Sequence, residues 1–143
     1  MMKRITYIYI AISLFTLDHS FAKDEKWLVL NTKKIADGLV TVVKKEKDPN
    51  VFNLSKEPVK NFKDEKMAIR FACENMSKAN KIKNYHFDFK DSSCSYQFSE
   101  NNMAQEIMIR GNEFIHITHE PSKKNIDEIM SELKTQIRKG NFI

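Results

Sequence analysis

Apolar and polar positions alternate most regularly between Tyr85 and Thr118. Tyr85, Phe87 and Phe89 alternate with His86, Asp88 and Lys90, and Cys94, Tyr96 and Phe98 alternate with Ser95, Gln97 and Ser99. Successive residues of a strand point to opposite faces, so this pattern predicts strands with one buried face. A turn centred on Asp91-Ser92 pairs Phe89 with Cys94, Phe87 with Tyr96 and Tyr85 with Phe98. A second, at Asn101-Asn102, pairs Tyr96 with Ile107 and Cys94 with Ile109. A third, at Gly111-Asn112, pairs Ile109 with Phe114 and Ile107 with His116. Together these registers gather one apolar set on one face of a four-stranded meander. A slip of one residue at any turn would scatter that set.

Helical spacing replaces alternation on either side of the meander. From Asp64 to Asn80, residues Met67, Ala68, Phe71, Ala72, Cys73, Met76 and Ala79 make a broad apolar face, with Asp64 and Glu65 suited to the first turn. From Ser122 to Lys139, residues Ile126, Ile129, Met130, Leu133 and Ile137 fall on one stripe. Ser122 is the expected N-cap, and Gly140 the expected C′ residue. Near the N-terminus, Trp27-Leu28-Val29-Leu30 and Leu39-Val40-Thr41-Val42-Val43 read as two strands joined near Asp37-Gly38. Ile35, Leu39, Val42 and Val43 also fit a helix, so segment 27–43 is open between the two, with the strands preferred. Lys44 to Phe62, with Pro49, Pro58 and many charges, reads as a surface excursion.

The predicted fold class is therefore α+β: an antiparallel meander of about four strands plus an N-terminal hairpin, packed against two amphipathic helices. Both helices are expected on the inner face, where Cys94 would meet Cys73. The opposite face should carry Met108, Ile115 and Ile117 among His86, Asp88, Gln97, Glu106 and Arg110. Three sizeable apolar groups on a polar face need either a cover, for which the N-terminal strands are the first choice, or a partner. Met108, Arg110, Ile115 and Ile117 are thus the candidate partner-binding face.

The first 22 residues change the picture of where this domain works. Lys3 and Arg4 precede an uncharged, mostly apolar run from Ile5 to Leu17, and Ser20-Phe21-Ala22 places small residues at −3 and −1 of a cut. That order predicts a signal peptide over residues 1–22, cleaved after Ala22, and one exported domain over residues 23–143. Thirteen helical residues reach about 20 Å, short of the roughly 30 Å of a bilayer core, so no stable insertion is expected after cleavage. The expected location is the periplasm or the exterior. Cys73 and Cys94 are the only cysteines, and an even pair in an exported chain predicts a disulfide, worth roughly 3 kcal/mol for so short a loop.

Charge adds little. Removing Lys3, Arg4 and Asp18 takes the formal charge from +5 to +4, and the lysines lie scattered among acids. That argues against a nucleic-acid partner. His116 and His119 form H-x-x-H beside Glu120, but on a strand residues three apart face opposite ways, so no metal site is expected. His86, Asp88 and Glu106 share a face without a nucleophile in a recognisable context. No catalytic residue and no cofactor are expected, and a hydrolase is the least favoured reading.

The order of hairpin, helix, meander and C-terminal helix resembles the photosystem II PsbP/Mog1-like α/β/α proteins. The likeness is carried by Glu106 to Ile137, where a hairpin turning at Gly111-Asn112 leads through Pro121 into an amphipathic helix. The resemblance implies no catalytic motif, and it implies a protein that binds or helps assemble others. The expected function is binding of another protein, as an inhibitor, an immunity protein or an accessory factor of envelope or secretion machinery. The alternative is a carrier of a small apolar ligand held between sheet and helices by Phe87, Phe89, Tyr96 and Phe98.

Overall fold

The computed structural model describes residues 25–36, 38–60, 62–79, 81–88, 90–121 and 125–143. The expected leader, Asp37, Phe89 and the expected cap Ser122 lie outside them. Seven strands form one antiparallel sheet: β1 (Trp27–Ile35), β2 (Gly38–Lys45), β3 (Val51–Pro58), β4 (Ile82–Asp88), β5 (Ser93–Phe98), β6 (Ala104–Arg110) and β7 (Glu113–His119). Their order across the sheet is β1-β2-β3-β7-β6-β5-β4. Helix α1 (Glu65–Ala79) falls between β3 and β4, and α2 (Ile126–Arg138) follows β7.

The sheet is wider than the sequence pattern predicts, because the expected excursion from Lys44 to Phe62 contains β3. Phe52 and Leu54 alternate there with Asn53 and Ser55, and both apolar side chains are fully buried. Only two apolar positions carry the alternation, too few to stand out between two prolines. β3 pairs with β2 on one side and β7 on the other, so it joins the N-terminal hairpin to the meander. Pro58, which has no N–H to give a ladder, is its last residue. Segment 27–43 is two strands, as preferred, and they extend the sheet rather than fold over it.

The β6–β7 register is the expected one, with Ile109 opposite Phe114 and Ile107 opposite His116. Gly111 turns the chain there with φ +58°, a conformation open to glycine at no steric cost. The other two turns are wider than expected. Phe87 pairs with Cys94, and Cys94 with Ile107. Each is a shift of two residues, which preserves the face. Cys94, Tyr96 and Ile107 therefore still point the same way.

The helices lie on opposite faces of the sheet, which corrects the expectation that both share one. Buried against α1 are Cys94, Tyr96, Ile107 and Phe114, with Ala68, Ile69 and Cys73 from the helix. Buried with α2 are Val43, Phe52, Leu54, Met108, Ile115 and Ile117, under Ile129, Met130, Leu133 and Ile137. Each of those four helix side chains contributes roughly 1.5–3 kcal/mol of burial. The stripe read from sequence was right; what the sequence did not reveal is which face it would cover. Gly140 has φ +88°, and the amides of Gly140 and Asn141 donate to the Ile137 and Gln136 carbonyls, closing the C-terminus. The N-cap is Asn125, in a left-handed conformation with no side-chain cap bond.

A half-buried ion cluster clips α2 to the meander. Lys134 Nζ donates to Glu106 Oε1 at 2.6 Å and Asp91 Oδ2 at 2.5 Å, and Arg138 also reaches Asp91. Burial is the largest influence on Lys134 and works against its ammonium. Glu106 and Asp91 together outweigh it and hold the pKa above the ordinary lysine value. Lys134→Ala should cost about 2–3 kcal/mol, because Glu106, only 9% exposed, loses its counter-charge. The double variant Lys134→Ala/Glu106→Gln should recover roughly half of that loss. Urea midpoints of the three proteins check this, and equal midpoints for wild type and Lys134→Ala would remove the cluster from the account.

Candidate functional site

The sheet is broader than the helix on its first face. α1 packs on β4, β5 and β6. On β1–β3, the side chains pointing to that same side have no helix of the described residues over them. Thr41, Val43 and Lys45 are buried toward α2, so Val40, Val42 and Lys44 point to the α1 side and are half-buried. Leu28 lies opposite Lys44, Asn31 opposite Val42 and Lys33 opposite Val40. The open area continues across Asn53 and Ser55 of β3, the partners of Val42 and Val40.

Where this area meets α1 there is a cleft of about 270 Å³, lined by Glu57, Phe62, Phe71, Met76, Phe114 and His116 among others. A directed chain of hydrogen bonds runs from the interior and ends at its wall, at His116 and Glu57. The Tyr96 hydroxyl donates to Gln105 Oε1 at 3.1 Å, leaving the Gln105 amide nitrogen to donate to His116 Nδ1 at 2.9 Å. The neutral imidazole then carries its proton on Nε2 and donates to Glu57 Oε1 at 2.8 Å. This tautomer is assigned from the network.

The chain bears on the hydrolase reading. Ser55 stands directly opposite His116 in the β3–β7 ladder. A serine nucleophile needs a free imidazole lone pair to take its proton. Both ring nitrogens of His116 are taken, by Gln105 and by Glu57, so no triad geometry forms. His119 packs on Phe52 on the opposite face, with ring centroids 5.5 Å apart, and its Nδ1 meets the Glu120 carbonyl at 2.7 Å. The two histidines face opposite ways, as strand geometry requires. Among the described residues, no group of three His, Cys, Asp or Glu could hold a metal ion. Asp88 accepts the amides of Asp91 and Lys90, which hold its carboxyl below the usual value, while Glu106 is bound to Lys134.

Burial dominates the Tyr96 hydroxyl and pushes its pKa well above that of an ordinary tyrosine. A folded-state pKa above the unfolded one adds stability that is complete below the unfolded value and lost as pH rises through the folded one. Lys134 has the same sign. Stability should therefore begin to fall above about pH 10. Tyr96→Phe should make that fall shallower, as read from urea midpoints across the alkaline range. In wild type, phenolate absorbance of Tyr96 should rise only together with unfolding. Ionisation of Tyr96 in the intact fold, read as the difference in absorbance from Tyr96→Phe, would contradict the burial argument.

The candidate partner-binding face lies beneath α2. Met108, Ile115 and Ile117 are each 0% exposed. Arg110 donates to the Ile137 carbonyl at 2.9 Å and to Glu113 Oε2 at 2.9 Å, so it ties the end of α2 to the sheet. The cover is α2, not the N-terminal strands, which lie beside this face and add Val43, Phe52 and Leu54 to it. Of the side chains expected to hold a small ligand, Tyr96 and Phe98 pack edge-on against each other at 5.4 Å, and Phe87 packs against the same cluster.

The exposed large apolar side chains are elsewhere. Leu28, Val29, Leu30 and Ile35 of β1, Leu39 of β2 and Val51 of β3 are 38–52% exposed, and Met67 and Phe71 of α1 are 65% and 52% exposed. Met67 and Phe71 were expected in the buried face of α1; the buried side is instead centred on Ile69 and Cys73. The run Trp27–Leu30 reads in sequence as a strand, and of its four residues only Trp27 packs into the core, against Phe52 and Phe142. The sequence signal for this surface was therefore an apolar run on a strand with no second neighbour.

Comparison with protein-family models, with curated proteins and with solved structures finds no match.

Proposed function

We propose that this chain is exported by way of residues 1–22 and acts by binding another protein, in the manner of an inhibitor, an immunity protein or an envelope or secretion accessory factor. The observation that carries the reading is the group of exposed apolar side chains on β1–β3. By register, Leu28, Ile35 and Val51 lie on the α1 side with the half-buried Val40 and Val42, while Val29 and Leu39 lie on the other side. Exposed apolar groups gathered at one end of a sheet mark docking surfaces. The Cys73–Cys94 disulfide fits export, since such bonds persist in oxidising compartments.

The test is made in an exporting bacterium. The protein should be recovered from the periplasm with Lys23 as its first residue. A photo-crosslinking residue placed at Leu30 or at Phe71 should each be tried; a discrete protein adduct from at least one is expected. An uncleaved chain held in the inner membrane would sink the export claim, and the lack of any adduct from both positions would sink the binding claim. The cleft beside α1 favours a second reading, a small apolar ligand between Phe62, Phe71, Met76 and Phe114. Its volume, about 270 Å³, falls just below the usual 300–1,000 Å³ of ligand pockets. A ligand mass retained in native mass spectra would support that reading instead.

A further inference from the structure

The sheet has two edges, and they differ. β4 has a register shift between Lys83 and His86, and Asn84 within it adopts φ +51°. The Asn84 amide bonds Gln97, and Lys83 bonds Asn102. Left-handed residues interrupt a ladder, so β4 offers no straight edge. β1 shifts register once, between Val29 and Asn31, and then runs regularly from Asn31 to Ile35 against β2. Among the described residues, no strand lies on its other side.

Charge is distributed just as unevenly. β1 and β2, as strands, contain Lys33, Lys34, Lys44 and Lys45 and no carboxylate. Lys45 is bonded to Glu132, whereas Lys33 and Lys34 lie in the regular part of the edge and are exposed. The acids nearest in sequence are at the strand ends: Asp37 in the connection to β2, and Glu25 and Glu46 beyond the opposite end. Pairing β1 with β1 of a second copy would bring the lysines of both edges together without an acid in either strand.

We propose that β1 is a docking edge for an extended segment of another protein, which adds an eighth antiparallel strand beside Asn31–Ile35. The segment bears Asp or Glu near Lys33 and Lys34, and aliphatic side chains that cover Leu30 and Ile35. Main-chain hydrogen bonds supply affinity in this mode, and the side chains flanking the edge supply selectivity. Opposite charges across a strand pair stabilise it and like charges oppose it, which makes the edge selective for an acidic strand. The competing account is that Lys33, Lys34 and the irregularity at Leu30 merely keep strands off the edge. That account predicts no strand addition at all. The inference rests on the protein-binding reading above.

The probes are two soluble hexapeptides, titrated against the disulfide-bonded protein. One has two adjacent glutamates flanked by valines, so that acids face both Lys33 and Lys34, and the other has lysines in the glutamate places. The glutamate peptide should bind about tenfold tighter than the lysine peptide, and should slow amide exchange in Asn31–Ile35. Lys33→Glu/Lys34→Glu should reverse the preference while the melting temperature stays near that of wild type. Should that variant fail to fold, screening by salt replaces it: the glutamate preference should shrink as ionic strength rises. Equal affinity for both peptides, or binding without protection of β1, overturns the proposal. So does concentration-dependent dimerisation that protects β1 without peptide, which would assign the edge to a second copy. Adducts from Phe71 with none from Leu30 would reject the edge and leave protein binding standing. Adducts from neither would reject both.

Discussion

Ile117→Asp should cost the fold about 5 kcal/mol and leave much of the protein unfolded at room temperature. Ile117 is 0% exposed and sits with Leu54, Met108 and Ile115 beneath Leu133 and Ile137. Two losses combine. Removing the buried aliphatic side chain forfeits roughly 1.5–3 kcal/mol, and an unpaired carboxylate in its place adds several more. Glu106, which stands opposite Ile117 in the β6–β7 ladder, is already paired with Lys134. Two companion measurements separate the terms. Ile117→Val should cost only about 1 kcal/mol, since it removes one methyl group. The Asp variant should also be less destabilised near pH 4 than near pH 7, because burial raises the folded-state pKa of that carboxyl, and stability from such a group is lost as pH rises. A melting temperature within a degree or two of wild type would mean that α2 does not cover this face. Met108, Ile115 and Ile117 would then again be the first residues to test for partner binding.

The elements of the meander were legible because each was written twice, once in alternation and once in turn chemistry. Gly111-Asn112 set the β6–β7 register outright, since a two-residue turn there fixes Ile109 opposite Phe114. Asp91-Ser92 and Asn101-Asn102 located their turns but not the loop lengths. Next to the turns each register is off by two residues, an error that strand periodicity forgives, whereas beyond the β4 irregularity Phe98 meets Ile82 instead of Tyr85, which is exposed. What could not be read was the third dimension. Met108, Ile115 and Ile117 announced a second apolar face, and Ile126 to Ile137 announced a stripe of matching size. No local pattern says that these two meet, because a helix following a hairpin can return over either side of a sheet. β3 was missed for a different reason: strands in the middle of a sheet are recognised by apolar content, and Val51–Pro58 has only Phe52 and Leu54 turned inward. The exposed surface on β1 was missed because an apolar run implies burial. Only the topology shows that β1 has a single neighbour among the described strands.

Removing the disulfide should loosen α1 before it loosens anything else. The two helices are held very differently. α2 buries Ile129, Met130, Leu133 and Ile137, four large side chains, and adds the Lys134 cluster. α1 buries Ala68, Ile69 and Cys73, of which only Ile69 is a large aliphatic, and leaves Met67 and Phe71 exposed. Cys73 and Cys94 are 0% and 1% exposed and bonded, with Cα atoms 6.2 Å apart, so the bond ties the middle of α1 to β5 at the centre of its small contact. Cys73→Ala/Cys94→Ala should lower overall stability by about 2–4 kcal/mol, through the freed 21-residue separation in the unfolded chain and the lost anchor in the folded one. In hydrogen exchange, α1 amides should accelerate roughly 30- to 900-fold, the same free energy expressed as an opening constant. Amides of β3, β6 and β7 should change by no more than the drop in global stability requires. If α1 kept wild-type protection in the variant, or if all elements accelerated equally from the outset, the disulfide would act on the unfolded chain alone and Ile69 would suffice to hold the helix.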